Sequence, residues 1–221
     1  PLTFTLHSDV IESTDVIEST DVIESITLGD EKNKPPNPIE ITFTPKDFVQ
    51  VNPAVNQKMV AQAISWLALK PTDKVLDLFC GLGNFTLPIA QRVQHIIGVE
   101  GVQKMVDNAT DNATNNRLTN VDFYQADLNS PWKNQPWAAP LFTHKRNDET
   151  NNMGSKSGTS IDKLILDPAR AGAYQAIEQL LPLKIKQILY ISCDPASLAK
   201  DAKLLISAGY TLKKVGLMDL F

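Results

Sequence analysis

Apolar positions along the chain alternate between short unbroken runs and stretches with helical spacing. Val75, Leu76, Leu78 and Phe79 form the clearest run, the pattern of a central strand buried on both faces. Gly81-Leu82-Gly83 follows, and the amphipathic segment from Phe85 onwards predicts a helix. Upstream, Val55, Met59, Val60, Ala63, Ile64 and Leu67 mark one face of a helix starting near Pro53, with Asn52 as its N-cap and proline in its first turn. Further strands are predicted at His95–Glu100, 121–127, 162–168 and 187–193, and helices over 102–116 and from 195 through 208. Residues 210–221 read as the start of another strand. Strands separated by helices predict an α/β fold with a doubly wound, mainly parallel sheet and ligands at the strands' C-terminal ends.

Residues 1–45 follow a different pattern. Leu2-Thr3-Phe4-Thr5-Leu6 and Ile39-Glu40-Ile41-Thr42-Phe43 alternate with period two and predict strands. Between them D-V-I-E-S-T occurs at Asp9 and at Asp15, and D-V-I-E-S at Asp21. The copies are too few for a solenoid and carry little apolar surface, so an expanded acidic hairpin or loop is expected rather than a binding strip. Residues 29–38 read as a linker. Residues 130–160 lack periodicity and predict a long loop, with Trp132 and Trp137 expected to anchor it rather than bind a base.

Composition narrows the class. A chain of 221 residues with 43% hydrophobic content can bury a sizeable core. There is no signal-peptide pattern at the start, and no apolar run approaches the ~20 residues that span a bilayer. A net charge of −4 argues against holding nucleic acid by bulk electrostatics. Cys80 and Cys193 are the two cysteines, too few and too far apart for a disulfide framework, which fits a reducing cytoplasm. Without an initiator Met, and ending inside a predicted strand, the sequence reads as a fragment of a longer protein.

Asp77, Glu100, Asp127, Asp167 and Cys193 all fall at the ends of predicted strands. Glu100 lies where a carboxylate can accept both hydroxyls of a ribose, although an acid at a strand end can also be simply solvated. Cys193 precedes a helix N-terminus that can stabilise a thiolate, yet a lone cysteine at a strand end is more often a small buried residue. The third glycine position of the dinucleotide fingerprint is Thr86. D-L-F-C-G-x-G, from Asp77 to Gly83, instead resembles motif I of S-adenosylmethionine (SAM)-dependent methyltransferases. A tight turn needing glycine for backbone reasons alone would use the same residues.

I-S-C-D-P-A-S-L-A-K-D at 191–201, L-D-P-A-R-A-G at 166–172 and F-V-Q-V-N at 48–52 carry a closer likeness. With the glycine motif they resemble the RNA uracil-C5 methyltransferases, nearest to the branch acting on 23S ribosomal RNA, over 43–221. The resemblance implies a Rossmann-like, class I SAM-dependent methyltransferase domain at 46–221, truncated at its C-terminus. Residues 1–45 would be the remnant of a central β-domain. It implies methylation of a uridine through a covalent bond between Cys193 and C6, because uracil C5 becomes a useful nucleophile only after a thiolate adds to C6. It assigns Asp167 to the uracil edge, Gln50 to the base, Phe48 to nearby nucleotides, and Arg170 to a phosphate or a salt bridge. Gln57, Asp77, Gly81, Gly83, Glu100 and Asp127 fall to SAM, Asp127 at the adenine amino group, and Cys80 to structure. The implied partner is RNA, 23S ribosomal RNA in particular, whose target base must leave its stack. No membrane partner is expected, and the full-length form is expected to be a monomer.

The chain also departs from that family. Its general base, a glutamate in an H-x-E segment, would lie beyond Asp219-Leu220-Phe221, so weak or absent SAM binding and no turnover are expected of the chain as given. The branch's iron–sulfur cluster and basic β-barrel have no counterpart here, since two distant cysteines cannot ligate a cluster. The alternatives are a methyltransferase acting on another base or a small molecule, and a non-catalytic SAM- or RNA-binding module. A nicotinamide-dependent oxidoreductase fits the glycine pattern poorly.

Overall fold

A computed structural model of the chain describes the backbone of residues 2–6 and residues 37–45, 47, 50, 52–142 and 160–219 in full. The hexapeptide repeat, Phe48 and residues 143–159 lie outside the described residues. Strands β1 (Leu2–Leu6) and β2 (Ile39–Phe43) pair antiparallel, Phe4 opposite Ile41. Helix α1 (Pro53–Leu67) starts as the sequence predicts: the Asn52 side chain accepts the Val55 N–H at 3.2 Å, and Pro53 opens the first turn.

Then follow β3 (Lys74–Leu78), α2 (Thr86–Ala90), β4 (His95–Glu100), α3 (Gln103–Asn115), β5 (Val121–Gln125) and the single turn α4 (Ala139–Phe142). The remaining elements are β6 (Lys163–Leu166), α5 (Tyr174–Leu180), β7 (Gln187–Tyr190) and α6 (Pro195–Ser207). The large sheet runs β5-β4-β3-β6-β7, and every neighbouring pair in it is parallel. Side chains alternate between its faces, as strand geometry requires. Val75, Ile96 and Ile165 join the core under α1, α2 and α3, while Leu76, Leu78, Val99, Leu164 and Leu166 join the core under α4, α5 and α6. The sheet is doubly wound, with β3 and β6 at its buried centre.

The far end of α1 is capped from the sheet. Lys163 Nζ donates to the carbonyls of Leu67 and, at 3.0 Å, Ala68; Gln187 Nε2 donates to that of Trp66 at 2.8 Å. A cation on the last carbonyls of a helix is favourable. Lys163 is itself buried and pairs with Asp73 at 3.3 Å.

The small β-pair is docked on the large unit. Ile39 and Ile41 are buried in the same core as α1. Positions 104, 108, 112 and 116, spaced four apart on one stripe of α3 and its cap, all reach the 40–47 segment. Lys104 lies 3.9 Å from Asp47, and Asn108 donates to the same carboxylate at 3.3 Å. Asn112 and Asn116 each pair with the backbone N–H and C=O of one β2 residue, Thr42 and Glu40 respectively.

Three expectations change. The helix after the glycines is five residues long and all of them are buried, so it has no polar face, and Thr86 in its first turn donates its hydroxyl to Asp77. Residues 210–219 form no strand. They cross α1, with Lys214 Nζ 5.7 Å above the Trp66 ring and Gly216 so close that a Cβ would stand 2.9 Å from Trp66 Cη2. Finally, residues 130–142 are folded: Trp132 and Trp137 are buried and stacked at 5.1 Å, the anchoring role expected of them. Among the described residues no helix is long and apolar enough to cross a membrane.

Candidate active site

The first part of the site is built by the turn after β3. Phe79 and Cys80 both donate their N–H to the Val99 carbonyl, at 2.9 and 3.1 Å, so the chain crosses the end of β4. Phe79 does this at φ 66°, a left-handed conformation that a bulky residue adopts only under constraint. The two glycines differ in purpose. At Gly81 (φ 55°) a Cβ would meet only Met105 Cε at 3.6 Å, leaving that face of the loop open. At Gly83 (φ 92°) it would stand 2.8 Å from Leu87 Cγ, so this glycine serves packing. Asn84 and the buried Asn56 exchange amide hydrogen bonds at 2.8 and 3.0 Å, tying the loop to α1 beside the half-buried Gln57.

Glu100 and Asp167 both lie within electrostatic reach of Asp77. Asp77 is fully buried; its Oδ2 accepts the Thr86 hydroxyl at 2.5 Å, and its Oδ1 has no hydrogen-bond partner among the described residues. Burial pushes the Asp77 carboxyl up to about 8, against the pull of the Thr86 bond and with help from the charges of Asp167 and Glu100. Asp167 stands at the mouth of β6, partly exposed, yet surrounded by enough protein that desolvation takes it up to about 7. Glu100 accepts the N–H groups of Gly81 (3.2 Å), Gly101 (2.8 Å) and Val102 (3.2 Å). A carboxylate offers roughly four lone-pair directions, so Glu100 keeps capacity for a ligand hydroxyl. Asp127 is held by the Ser130 hydroxyl at 2.6 Å and the Asn129 N–H at 3.0 Å, which lower its pKa and keep it an anionic acceptor. An open glycine face and a rigid carboxylate with spare acceptor capacity fit a cofactor carrying a ribose.

The second part lies on the neighbouring strands β6 and β7, whose ends are joined by the Ile191 N–H to Leu166 C=O bond at 2.8 Å. Cys193 is exposed, between Ser192 and Asp194, which bond each other at 2.9 and 3.1 Å. Asp194 caps α6 by accepting the Ser197 N–H at 2.8 Å, and these bonds, with the Arg170 charge adding a little, hold its carboxyl low. Cys80 is buried; desolvation, reinforced by Asp77 and Glu100, pushes its thiol well above the usual range. Of the two cysteines, Cys193 alone is exposed. Gln50 is half-buried on the segment leading into α1. Sequence reasoning passed over Asn56, Asn84, Thr86 and Asn112. The fourfold spacing on α3 was the available signal for Asn112, and the displaced third glycine was the signal for Thr86.

A parallel β5-β4-β3-β6-β7 sheet, helices on both faces and a glycine turn after the central strand define the class I SAM-dependent methyltransferase fold. The family model described as tRNA (Uracil-5-)-methyltransferase matches residues 37–221, and the chain belongs to that family. It is 49% identical over 182 residues to the 23S rRNA (uracil(1939)-C(5))-methyltransferase RlmD of Colwellia psychrerythraea, covering 82% of the chain and 35% of the relative. It is 48% identical to the RlmD of Vibrio campbellii, covering 83% of the chain and 37% of the relative. The chain thus spans little more than a third of the length of these curated relatives. Among solved structures, the Pyrococcus abyssi tRNA (uracil-54, C5)-methyltransferase in complex with S-adenosyl-L-homocysteine superposes with TM-score 0.56 at 23% identity, over 75% of this chain and 35% of that one. The precorrin-6y C5,15-methyltransferase of Geobacter metallireducens gives 0.56 at 14%, over 77% and 78%. These two likenesses are of fold.

Proposed function

We propose that this chain is the catalytic portion of an enzyme that methylates C5 of a uridine in RNA with SAM, 23S ribosomal RNA being the substrate its relatives point to. One observation carries the reading: the exposed thiol of Cys193 follows β7, while the Asp167 carboxyl stands at the end of the adjacent β6. The Cys193 thiolate adds to C6 of the flipped-out uracil, and the electron pair of the C5–C6 bond moves towards C5 and O4, making C5 a carbon nucleophile. Bound SAM supplies an electrophilic methyl group. C5 takes that methyl group, and transfer of the C5 proton to a general base then returns the electron pair to the ring and expels Cys193.

Asp167 accepts the uracil N3–H, a donor that cytosine lacks at that position, and so favours uracil over cytosine. Gln50 holds the base from the 48–52 segment, and Phe48 packs against neighbouring nucleotides. Arg170, exposed beside this edge, meets a phosphate. On the cofactor side Glu100 takes the ribose hydroxyls, Gly81 and Gly83 let the loop approach, Asp127 faces the adenine amino group, and Gln57 and Asp77 complete the surround. Both cysteines are free, in keeping with a cytoplasmic protein.

The test is mass spectrometry of the protein with 23S ribosomal RNA containing 5-fluorouridine and SAM, since fluorine at C5 blocks the final elimination. The adduct should map to the peptide containing Cys193 and vanish in Cys193→Ala. An adduct on Cys80, or methylation by the Cys193→Ala protein, would sink the proposal.

A further inference from the structure

Asp201 lies on α6 and is 1% exposed. Its Oδ2 accepts the Ala173 N–H at 2.6 Å and the Tyr190 hydroxyl at 2.7 Å, while Oδ1 is buried without a hydrogen-bond partner among the described residues. A buried carboxylate with one oxygen unsatisfied is a costly way to fill space. What it joins gives the reason for it. Ala173 closes the loop that starts at Asp167 and carries Arg170. Tyr190 ends β7 three positions before Cys193, and α6 starts two positions after it. Between the two strand ends runs the Ile191–Leu166 backbone bond. Asp201 adds a second brace, from the helix side.

The loop is shaped to meet it. Gly172 has φ 81°, and a Cβ there would stand 2.6 Å from Asp201 Oδ2 and 3.1 Å from Ser197 Cβ. The loop therefore comes against the helix with no room for a side chain at position 172, in a conformation that favours glycine. Burial, and then the bond to Asp201, push the Tyr190 hydroxyl above its usual range, so it stays protonated and donates.

We propose that Asp201 is the positioning residue of the base pocket: by holding Ala173, Tyr190 and α6 on one carboxylate, it sets the spacing between the Asp167 loop and Cys193. This rests on the roles given to Asp167 and Cys193 above. Asp201 acts through those two residues, so its loss should damage their mutual placement and leave the cofactor half, on β3 to β5, intact. A misplacement of about 1 Å between reacting groups can cost about a hundredfold in rate.

The experiment compares wild type with Asp201→Ala, Asp201→Asn and Gly172→Ala at a temperature where circular dichroism shows each to be folded. Single-turnover adduct formation on 5-fluorouridine RNA should fall about a hundredfold in Asp201→Ala and Gly172→Ala, with SAM affinity unchanged. Asp201→Asn keeps an oxygen for both donors and should restore most of the rate. Should Asp201→Ala not fold, Gly172→Ala, which forces the same joint apart from the other side, carries the comparison. Wild-type rates in the altered proteins, or an equal fall in SAM affinity, would overturn the inference. If wild type itself forms no adduct, the methylation reading fails and Asp201 is judged on geometry alone. A short bifunctional thiol reagent should then link Cys193 to Arg170→Cys in the wild-type background and fail in Asp201→Ala; equal linking in both overturns the proposal.

Discussion

Asn112 pairs with Thr42 as one strand residue pairs with another: its side-chain amide accepts the Thr42 N–H at 2.9 Å and donates to the Thr42 carbonyl at 3.2 Å. One turn on, Asn116 does the same for Glu40, so α3 presents a surrogate strand to the outer edge of β2. Asn112 also reaches the Leu82 carbonyl in the glycine loop at 3.5 Å. The β-pair and the cofactor turn are therefore set against one helix face.

Asn112 is buried, whereas the Asn116 bonds to Glu40 are exposed. Asn112→Ala should lower unfolding free energy by about 1–3 kcal/mol, and Asn116→Ala by less than about 1 kcal/mol, since water replaces the exposed bonds. Urea titration of both variants decides this; equal losses would mean that burial of the rail is immaterial.

Asp77 makes stability depend on pH in an unusual direction. Its folded-state carboxyl titrates near 8, above the ordinary value of 3.8, so between those values the folded chain holds a proton that the unfolded chain has lost. Stability from this group is full below about 4 and declines as pH rises towards 8. Asp77→Asn removes that slope, so the melting temperature of the variant minus that of wild type should climb steadily from pH 4 to pH 8. A flat difference would show that Asp77 is ionised throughout.

Lys163 caps α1 and pairs with Asp73, both side chains being 9% exposed. Lys163→Met keeps much of the volume but strands the carboxylate and the helix carbonyls, and should cost about 3–5 kcal/mol. Differential scanning calorimetry measures it. A loss under about 1 kcal/mol would show that the pair contributes no more than a surface one does.

The two loop glycines should fail differently. Gly83→Ala drives a methyl into Leu87 and should destabilise the chain by about 1–3 kcal/mol. Gly81→Ala makes only an ordinary contact with Met105 and should cost about 1–2 kcal/mol for its left-handed backbone, while reducing the thermal shift that SAM produces. Thermal melts with and without SAM separate the two, and an undiminished SAM shift in Gly81→Ala would argue against cofactor contact at that loop.

Much of this was legible in the chain because it follows from local periodicity. His95–Glu100 is the strand the apolar run predicts, and Asn52 and Pro53 mark the start of α1 to the residue. The strand-end positions of Asp77, Glu100 and Asp167 follow from the same pattern. The tail at 210–219 was misread because alternation shows which residues favour a strand but not whether a partner edge is within reach. Here the tail crosses Trp66, and β7 has only β6 beside it among the described strands. Asn56, Asn84 and Asp201 were invisible for a different reason. Their partners lie on other elements, and a buried amide or carboxylate carries no sequence signature until those elements meet.

Strands β3 and β6 are neighbours in space but distant in sequence: the Lys74 N–H reaches a carboxylate 88 positions further on, at Asp162. Joining them requires closing a long loop, whereas β3, β4 and β5 join through short connections. The chain should therefore assemble in sequence, with β4 and β5 amides protected early in pulse-labelled refolding and those of β7 last. During synthesis the half proposed to hold the methyl donor would take shape first, and the half proposed to grip the base would be added to a finished edge.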